Sequence, residues 1–527
     1  MMKDLTSGVY CFEDMILGNF LYVDKTEYIW QLIRPAKGLY FLSRPRRFGK
    51  SLTLSTLKAV FQGKKELFKG LAIWDKPYDW KKHPVIHLDM NGRDFCTVEN
   101  MERSFRQILL EQAEINGVDL PETTSETMFH SLIKKLHDRD GDAVILLDEY
   151  DKPILNNISK KNVSDFLAAL KVFYSVIKEK SGMLRLAFIT GVSKFCHVSL
   201  FSDLNNLTDI TMDSRYATML GYTQQEFESN FKEQIQTAEK KLDLPHRLFL
   251  DKIKGWYDGF RFHYGSESVY NPVSVAQFFE HGGEFNNYWF STGTPSFLLE
   301  LIMKSKFDFS VSLNAPLSSS FFNAFEITDL DPLVLLFQTG YLTIDRMEQR
   351  QVPFTDKVVA EYYLKFPNQE VEESFNNSLL AYCTTVRKQD SQELILKLIT
   401  AVGTGDADGF IKLFQSIFAG IPYNILVKDE HYYQTVCYVV CDLLKLMVQA
   451  EICTAGGRID MMVAAGEWIY VIEFKLNQSA DQAMKQIENK EYAVKYRKDG
   501  KRIMLIGVNF DFNAGNITDW IKEEYQD

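Results

Sequence analysis

Apolar residues in the first two hundred positions gather in short runs: Tyr40-Phe41-Leu42, Pro84-Val85-Ile86-His87-Leu88-Asp89, Ala143-Val144-Ile145-Leu146-Leu147 and Leu184-Arg185-Leu186-Ala187-Phe188-Ile189-Thr190. The run at 143–147, without polar alternation, is what a strand looks like when helices cover both of its faces, and the others fit the same sheet. Amphipathic helical periods fill the intervals between them, so the pattern predicts an α/β layer with a central parallel sheet. The pattern changes after Gly221. Thr223 followed by Glu226 forms a capping box opening a helix. Turn-rich sequence comes next at Trp256-Tyr257-Asp258-Gly259-Phe260-Arg261, Tyr270-Asn271-Pro272, Asn287-Tyr288-Trp289-Phe290 and Thr292-Gly293-Thr294-Pro295, as in a lid or small accessory domain. The charged stretch Asp345 to Pro367, which carries Pro353, reads as part of a connector. Farther on, Gly456 to Val463 and Trp468 to Lys475 read as two strands joined by the short turn Ala464-Ala465-Gly466-Glu467. The boundaries expected are 1–220, 221–345, 346–375 and 376–527, with no internal repeat and no low-complexity tract.

Composition supports full cores for about three domains: 527 residues, of which 46% are hydrophobic. The net charge of −11 means that any nucleic-acid surface is a local patch and not a global property. Lys495, Arg497, Lys498, Lys501 and Arg502 make the best candidate track for phosphates, or a solvated turn. The seven cysteines form no CxxC pair, and Cys437 and Cys441, four apart on a helical stretch, read as core packing. No run approaches the length of a membrane span, and no signal region follows Met1, so a soluble cytoplasmic protein without a membrane partner is expected.

Two constellations carry chemistry. In the first, the strand ending at Ser43 runs into Arg44-Pro45-Arg46-Arg47-Phe48-Gly49-Lys50-Ser51. A loop that delivers Gly-Lys-Ser to a helix start can cradle phosphate oxygens on backbone N–H groups. Lys50 then reaches the terminal phosphates, and the Ser51 hydroxyl ligates Mg²⁺. The pattern departs from the usual loop at Arg44, where a glycine able to take a positive φ is expected. A second part agrees with the first: the apolar run at 143–147 ends in Asp148-Glu149, an acid to hold Mg²⁺ and an acid to polarise the attacking water. Thr190 and Ser193, beyond the end of another strand, are placed to sense the terminal phosphate, with helix capping an equal reading for Ser193. The arginine that would act on that phosphate is Arg215, Arg261 or neither.

In the second constellation, strand alternation puts Glu473 and Lys475 on one face and Phe474 on the other. With Asp460 opposite, two carboxylates and an ammonium converge, the set that metal-assisted phosphodiester cleavage needs. The alternative is a solvated Glu/Lys pair, against which the apolar neighbours Val471, Ile472 and Phe474 argue. Gln486, on the following helix, and Glu430, at the start of the long helix before the strands, are further candidates for this site.

The chain resembles bacterial AAA-ATPase-like proteins that carry a C-terminal domain of the PD-(D/E)XK nuclease superfamily. The residues that carry the resemblance are Tyr22-Val23-Asp24-Lys25-Thr26, Ser43 to Leu52, Leu146 to Pro153, Thr190 to Phe195, Gln449-Ala450-Glu451, Gly457 to Asp460, Tyr470 to Lys475 and Ile506 to Phe510. The fold class it implies is α/β: an N-terminal P-loop NTPase parallel sheet, a helical or winged-helix-like middle region and a C-terminal α/β restriction-endonuclease-like domain. The Arg-Pro-Arg-Arg-Phe-Gly-Lys-Ser loop is similar across such sequences. Arg46, Arg47, Phe48, Gly49, Lys50, Ser51 and Leu52, with Asp148 and Thr190, are implied as the nucleotide contacts, and Glu149 as catalytic. Asp460, Glu473 and Lys475 are implied as the nuclease triad. The cofactors expected are ATP and Mg²⁺, with Mn²⁺ an alternative at the nuclease site. The partner is nucleic acid, DNA ahead of RNA, and a homo-oligomer is compatible with the sequence. A nucleotide-switched scaffold that binds nucleic acid or protein without cutting is the alternative function.

Overall fold

The computed structural model describes the chain apart from residues 1–2, 159, 195–205, 290–295, 306–314, 324–330, 385, 420–429, 446–448, 455–458, 491, 495, 497–499, 512 and 526–527. For 296, 297, 304, 323, 388, 389, 430–434, 449–454, 459 and 460 it describes the backbone alone. The chain divides into two compact units, one of Met1–Ser291 with Leu317–Glu370, the other of Thr292–Pro316 with Val371–Asp527.

The first unit is built on five parallel strands, β1 (Gly38–Ser43), β2 (Val85–Asp89), β3 (Ala143–Asp148), β4 (Leu184–Gly191) and β5 (Thr208–Asp209), in the order β2-β3-β4-β1-β5. Every residue of β3 is buried, which is why its sequence shows no polar alternation. The helices Val98–Ile115, Ser125–Asp140 and Val163–Glu179 meet through the stacked rings of Phe105, Phe129 and Phe173, with centroids 4.2 and 5.1 Å apart. Strand β4 lies between the phosphate-loop strand β1 and the acid strand β3. Its end at Thr190 therefore falls between the two motifs.

The capping box forms as the sequence predicts, with Thr223 and Glu226 bonded reciprocally at the start of helix Gln224–Asn230. Helices Lys232–Leu242, His246–Tyr257 and Pro272–Glu280 join it around Phe227, Phe231, Phe249, Tyr257, Tyr270 and Phe278. Val23 packs into this cluster and Lys25 pairs with Glu226 at 2.6 Å, so the Tyr22-to-Thr26 motif ties the chain start to the helical region.

Within the stretch read as a connector, Thr343–Gln351 (β7) and Val358–Lys365 (β8) pair as an antiparallel hairpin, with Leu317–Ser318 (β6) on the other side of β8. The charges that suggested a solvated linker are ion pairs on this hairpin: Arg350 to Glu361 at 3.3 Å and Lys365 to Asp345 at 2.8 Å. The run Val358 to Leu364, rich in β-branched and aromatic residues, supplies the strand preference that the charge count hid.

The second unit holds a five-stranded sheet of β9 (Gln449–Thr454), β10 (Ile459–Ala465), β11 (Trp468–Leu476), β12 (Arg502–Asp511) and β13 (Asn516–Glu524), in the order β13-β12-β11-β10-β9. Only β11 and β12 run parallel, joined by a crossover through helix Ala480–Asn489. One face packs on helix Ala407–Ala419 through Phe410 against Tyr470 and Phe414 against Phe474. The other face, with Ile469 and Val471, packs on Met484 and Ile487 of the crossover helix. At Gly507 that helix comes so close that a Cβ would sit 2.5 Å from the Ala480 carbonyl oxygen. Glycine is required there, and it sets the depth at which the helix lies on the sheet. Cys437 and Cys441 are buried on helix Glu430–Lys445, as core residues. Among the described residues no helix is long and apolar enough to cross a membrane.

Candidate functional site

The phosphate-type loop leaves β1 at Ser43 and enters helix Lys50–Phe61, and its positive φ angles fall at Arg47 (66°) and Gly49 (88°). Arg44 needs no such conformation, so an arginine fits where the usual pattern has glycine. Its side chain turns inward, 1% exposed, and donates to the carbonyls of Ser43, Thr211 and Tyr216 while its guanidinium lies 4.0 Å over the Phe262 ring. Burial pulls this guanidinium down to about 9, still charged at neutral pH. Arg44 thus ties the loop to the chain beyond β5. An Arg44→Met variant would strand three buried carbonyls, and we expect it to lose about 3 kcal/mol or more of stability, read by thermal or urea melting. If Arg44 served the phosphates instead, ATP affinity would fall without that loss.

Phe48 is also directed inward, against Phe260 and Phe262 at 4.8 and 5.4 Å, leaving its backbone to the loop. Arg46 is exposed, Arg47 Nη1 donates to the Tyr288 carbonyl at 2.8 Å, and Leu52 is half-buried in the first helical turn. Lys50 is buried and donates to the carbonyls of Arg44 and Pro45 at 3.0 and 2.9 Å; burial lowers its ammonium against the opposing pull of Asp148, Glu149 and Asp151. The Ser51 hydroxyl donates to Asp148 Oδ2 at 2.6 Å. Asp148, at the end of β3 beside Asp89 of β2, is pushed up to about 6 chiefly by burial. Glu149 takes φ 53° and pairs with Lys152 at 3.0 Å. Asp148 Oδ1 and Thr190 Oγ1 are buried without a hydrogen-bond partner among the described residues. One such oxygen on the Ser51–Asp148 pair and another at the end of the neighbouring strand fit the needs of a hydrated divalent cation and a terminal phosphate.

Ser193 is engaged by the other motif, and the helix it would cap lies outside the described residues. Its N–H and hydroxyl both donate to Asp151, at 2.7 and 2.6 Å. Asp151 also accepts from the Val192 N–H, so this fully buried acid orders the turn after β4 and leaves Thr190 as the polar group at the strand end. Phe195 lies outside the described residues. Arg215 is bound to Asp213 through Nε and Nη2, and Arg261 donates to the Asp345 carbonyl at 2.7 Å.

In the second unit the two-residue turn at Gly466-Glu467 pairs Ala465 with Trp468, and the ladder then carries Asp460 opposite Glu473. Directly opposed positions of an antiparallel pair lie on one face of the sheet. The Asp460 side chain is outside the described residues, as is that of Glu430, which opens its helix. Glu473 is fully buried and Lys475 is 6% exposed; Lys475 Nζ donates to Glu473 Oε1 at 2.8 Å and to Gln486 Oε1 at 2.5 Å. Gln486 thus reaches the site from the crossover helix. Buried carboxylate oxygens are hard donors suited to Mg²⁺ or Mn²⁺, although no group of three or more His, Cys, Asp or Glu is assembled among the described residues. Of the basic track, Arg502 pairs with Glu524 at 2.7 Å, while Lys495, Arg497 and Lys498 lie outside the described residues.

Two residues near the phosphate loop escaped the sequence reading, Trp289 and Glu370. Trp289 Nε1 donates to the Arg46 carbonyl at 3.1 Å, and the Trp289 N–H donates to Glu370 Oε1 at 2.7 Å. They stand 243 and 81 positions from those partners, so no local signal could have joined them. Burial pushes the Glu370 carboxyl up to about 7, with Arg47 opposing the rise and Tyr257 and Tyr288 facing the group. Because that exceeds the ordinary value of 4.5, the folded chain holds the proton more tightly than the unfolded chain, and the contribution to stability is lost as pH rises toward 7. Glu370→Gln does not titrate. Its stability relative to wild type is expected to improve between pH 5 and pH 8 by up to ~3 kcal/mol, checked by urea melts at the two pH values.

Residues 6–201 match the family model described as predicted AAA-ATPase, and residues 428–520 match that of the PD-(D/E)XK nuclease superfamily. A protein of Azotobacter chroococcum mcd 1, described as an uncharacterized protein in the vnfD 5′ region, is 36% identical over 537 residues, covering 99% of each chain. With a phosphate loop and acid strand in one unit and Glu473 and Lys475 on a mixed sheet in the other, the chain belongs to the predicted AAA-ATPase family that carries a PD-(D/E)XK nuclease superfamily domain.

Proposed function

We propose that ATP bound at the loop from Arg44 to Leu52 controls a metal-dependent nuclease centred on Asp460, Glu473 and Lys475, acting on nucleic acid, DNA ahead of RNA. Lys50 offers its ammonium to the terminal phosphates, Ser51 and Asp148 would hold Mg²⁺, Glu149 orients the attacking water and Thr190 senses the terminal phosphate. The buried oxygens of Asp148 and Thr190 support this assignment. In the second unit Asp460 and Glu473 would hold Mg²⁺ or Mn²⁺, which supplies charge stabilisation at the phosphodiester. Lys475 orients the attacking water, and Gln486 fixes the ammonium that does so. The observation that carries the reading is Lys475 Nζ held between Glu473 and Gln486 on the face shared with the position of Asp460. A cytoplasmic setting belongs to the same reading.

The alternative, a nucleotide-switched scaffold that binds without cutting, draws support from the pairing of surface cations in the second unit: Lys485 with Asp481, Arg502 with Glu524 and Lys522 with Asp408. Each such pair takes a cation that a phosphate track would otherwise use. The two readings part in one assay. Linear, circular and single-stranded DNA and RNA are incubated with the protein and Mg²⁺ or Mn²⁺, with and without ATP, beside Lys475→Ala and Lys50→Ala. Cleavage that chelation and Lys475→Ala abolish, and that responds to ATP only while Lys50 is present, is the expected result. ATP binding with no cleavage of any substrate would leave the scaffold reading.

A further inference from the structure

The phosphate loop is held from outside by the segment ending at Trp289 and by Glu370. Arg47 occupies the left-handed region at φ 66°, a conformation that a non-glycine residue keeps only when its surroundings impose it. Its guanidinium donates to the Tyr288 carbonyl, and the next residue along, Trp289, donates its indole N–H to the Arg46 carbonyl. Gly340 closes in on the same loop, since a Cβ there would fall 2.5 Å from Pro45 Cγ. Trp289 is fixed in turn by Glu370, which is fully buried and also accepts from the Ser274 hydroxyl at 2.8 Å. Burying a carboxylate this deeply is a poor way to gain stability, so its presence asks for another role.

The chain path supplies one. The first unit ends after Ser291 and again after Glu370, where the chain passes into the second unit. The two residues that fix the loop backbone at Arg46 therefore stand at, or within two residues of, two of the crossings.

We propose that Trp289 and Glu370 are positioning residues of the phosphate loop and carry its nucleotide-bound state to the chain crossing after Glu370. The proposal rests on the reading of the loop as an ATP site. When phosphates displace the loop backbone around Arg46, the Trp289 indole follows its carbonyl partner and Glu370 follows the Trp289 N–H. The segment starting at Val371 receives the movement through the backbone.

Full-length wild type is compared with Trp289→Phe, which keeps an aromatic ring and removes the indole N–H, with Glu370→Ala, which removes the acceptor, and with Glu370→Gln, which restores one. ATP affinity is read by calorimetry, and amide hydrogen exchange with and without saturating ATP is followed over residues 40–52 and 371–383. In wild type ATP is expected to slow exchange in both segments. Trp289→Phe should bind ATP about fivefold more weakly, the effect of one lost hydrogen bond. It should keep the ATP effect over 40–52 and lose it over 371–383. Glu370→Ala should lose the distant effect as well, and Glu370→Gln should regain it, a rescue that a merely structural role does not predict. Melting curves report folding, and should one variant fail to fold, the other decides. Retention of the wild-type response over 371–383 in the folded variants overturns the proposal, as does a wild type in which ATP protects 40–52 alone. A wild type that binds no ATP removes the underlying reading instead, and the proposal with it.

Discussion

Lys50→Ala is expected to weaken ATP binding about 100-fold, a larger loss than any other single change in the first unit. The Lys50 ammonium is buried, and two of its three donors are held by the carbonyls of Arg44 and Pro45. Those bonds aim it across the mouth of the loop. Burial pulls its pKa down, so an incoming polyphosphate would supply the negative charge that favours the ammonium form. Charge-assisted hydrogen bonds of this kind contribute about 1.5–3 kcal/mol each, and the alanine loses the bond together with the field it stands in. The fold should tolerate the change, because the variant also sheds the cost of burying an ammonium while leaving two carbonyls to find water. Calorimetric titration with ATP beside a thermal melt checks both halves. An affinity within threefold of wild type would refute the phosphate-binding role of Lys50.

Much of this arrangement was legible in the sequence, for physical reasons that can be named. Strands β1, β3 and β4 are covered on both faces, so burial alone shaped their composition into continuous runs. Glu473, Phe474 and Lys475 follow the two-residue period of any strand, and their sorting onto opposite faces needed only the strand itself. The placement of Asp460 opposite Glu473 was only a condition in the sequence, because a turn read over Ala464 to Glu467 leaves the register open until the ladder pairs Ala465 with Trp468. What was not legible depends on contacts that no local rule encodes. The sequence showed Arg44 as a departure from the usual loop but not what the arginine does, because its carbonyl partners at Thr211 and Tyr216 lie more than 160 positions away. Ser193 read as a sensor or a cap because its true partner, Asp151, belongs to the other motif. The hairpin β7–β8 was masked by charges that only pair once the strands are in register.

Stability and activity should come apart at the second site. On the proposed nuclease reading, Glu473→Gln and Lys475→Met are each expected to reduce nucleic-acid cleavage by about 1000-fold or more, because each removes a charge that this reading assigns to metal binding or water orientation. Each should also destabilise the unit. Glu473 and Lys475 bury their side chains to 1% and 8% exposure and are paired at 2.8 Å, so removal of one takes the opposite charge away from the other inside an apolar sheet. That loss is expected to reach about 2–4 kcal/mol in urea melts. The double variant Glu473→Gln, Lys475→Met removes both charges at once. It should recover most of the stability, since a neutral pair of similar volume has no desolvation cost to offset, and it should remain inactive. Recovery of folding without recovery of cleavage would assign the pair to chemistry. If the double variant stays as unstable as the singles, the pair serves the fold, and the scaffold reading gains the second unit.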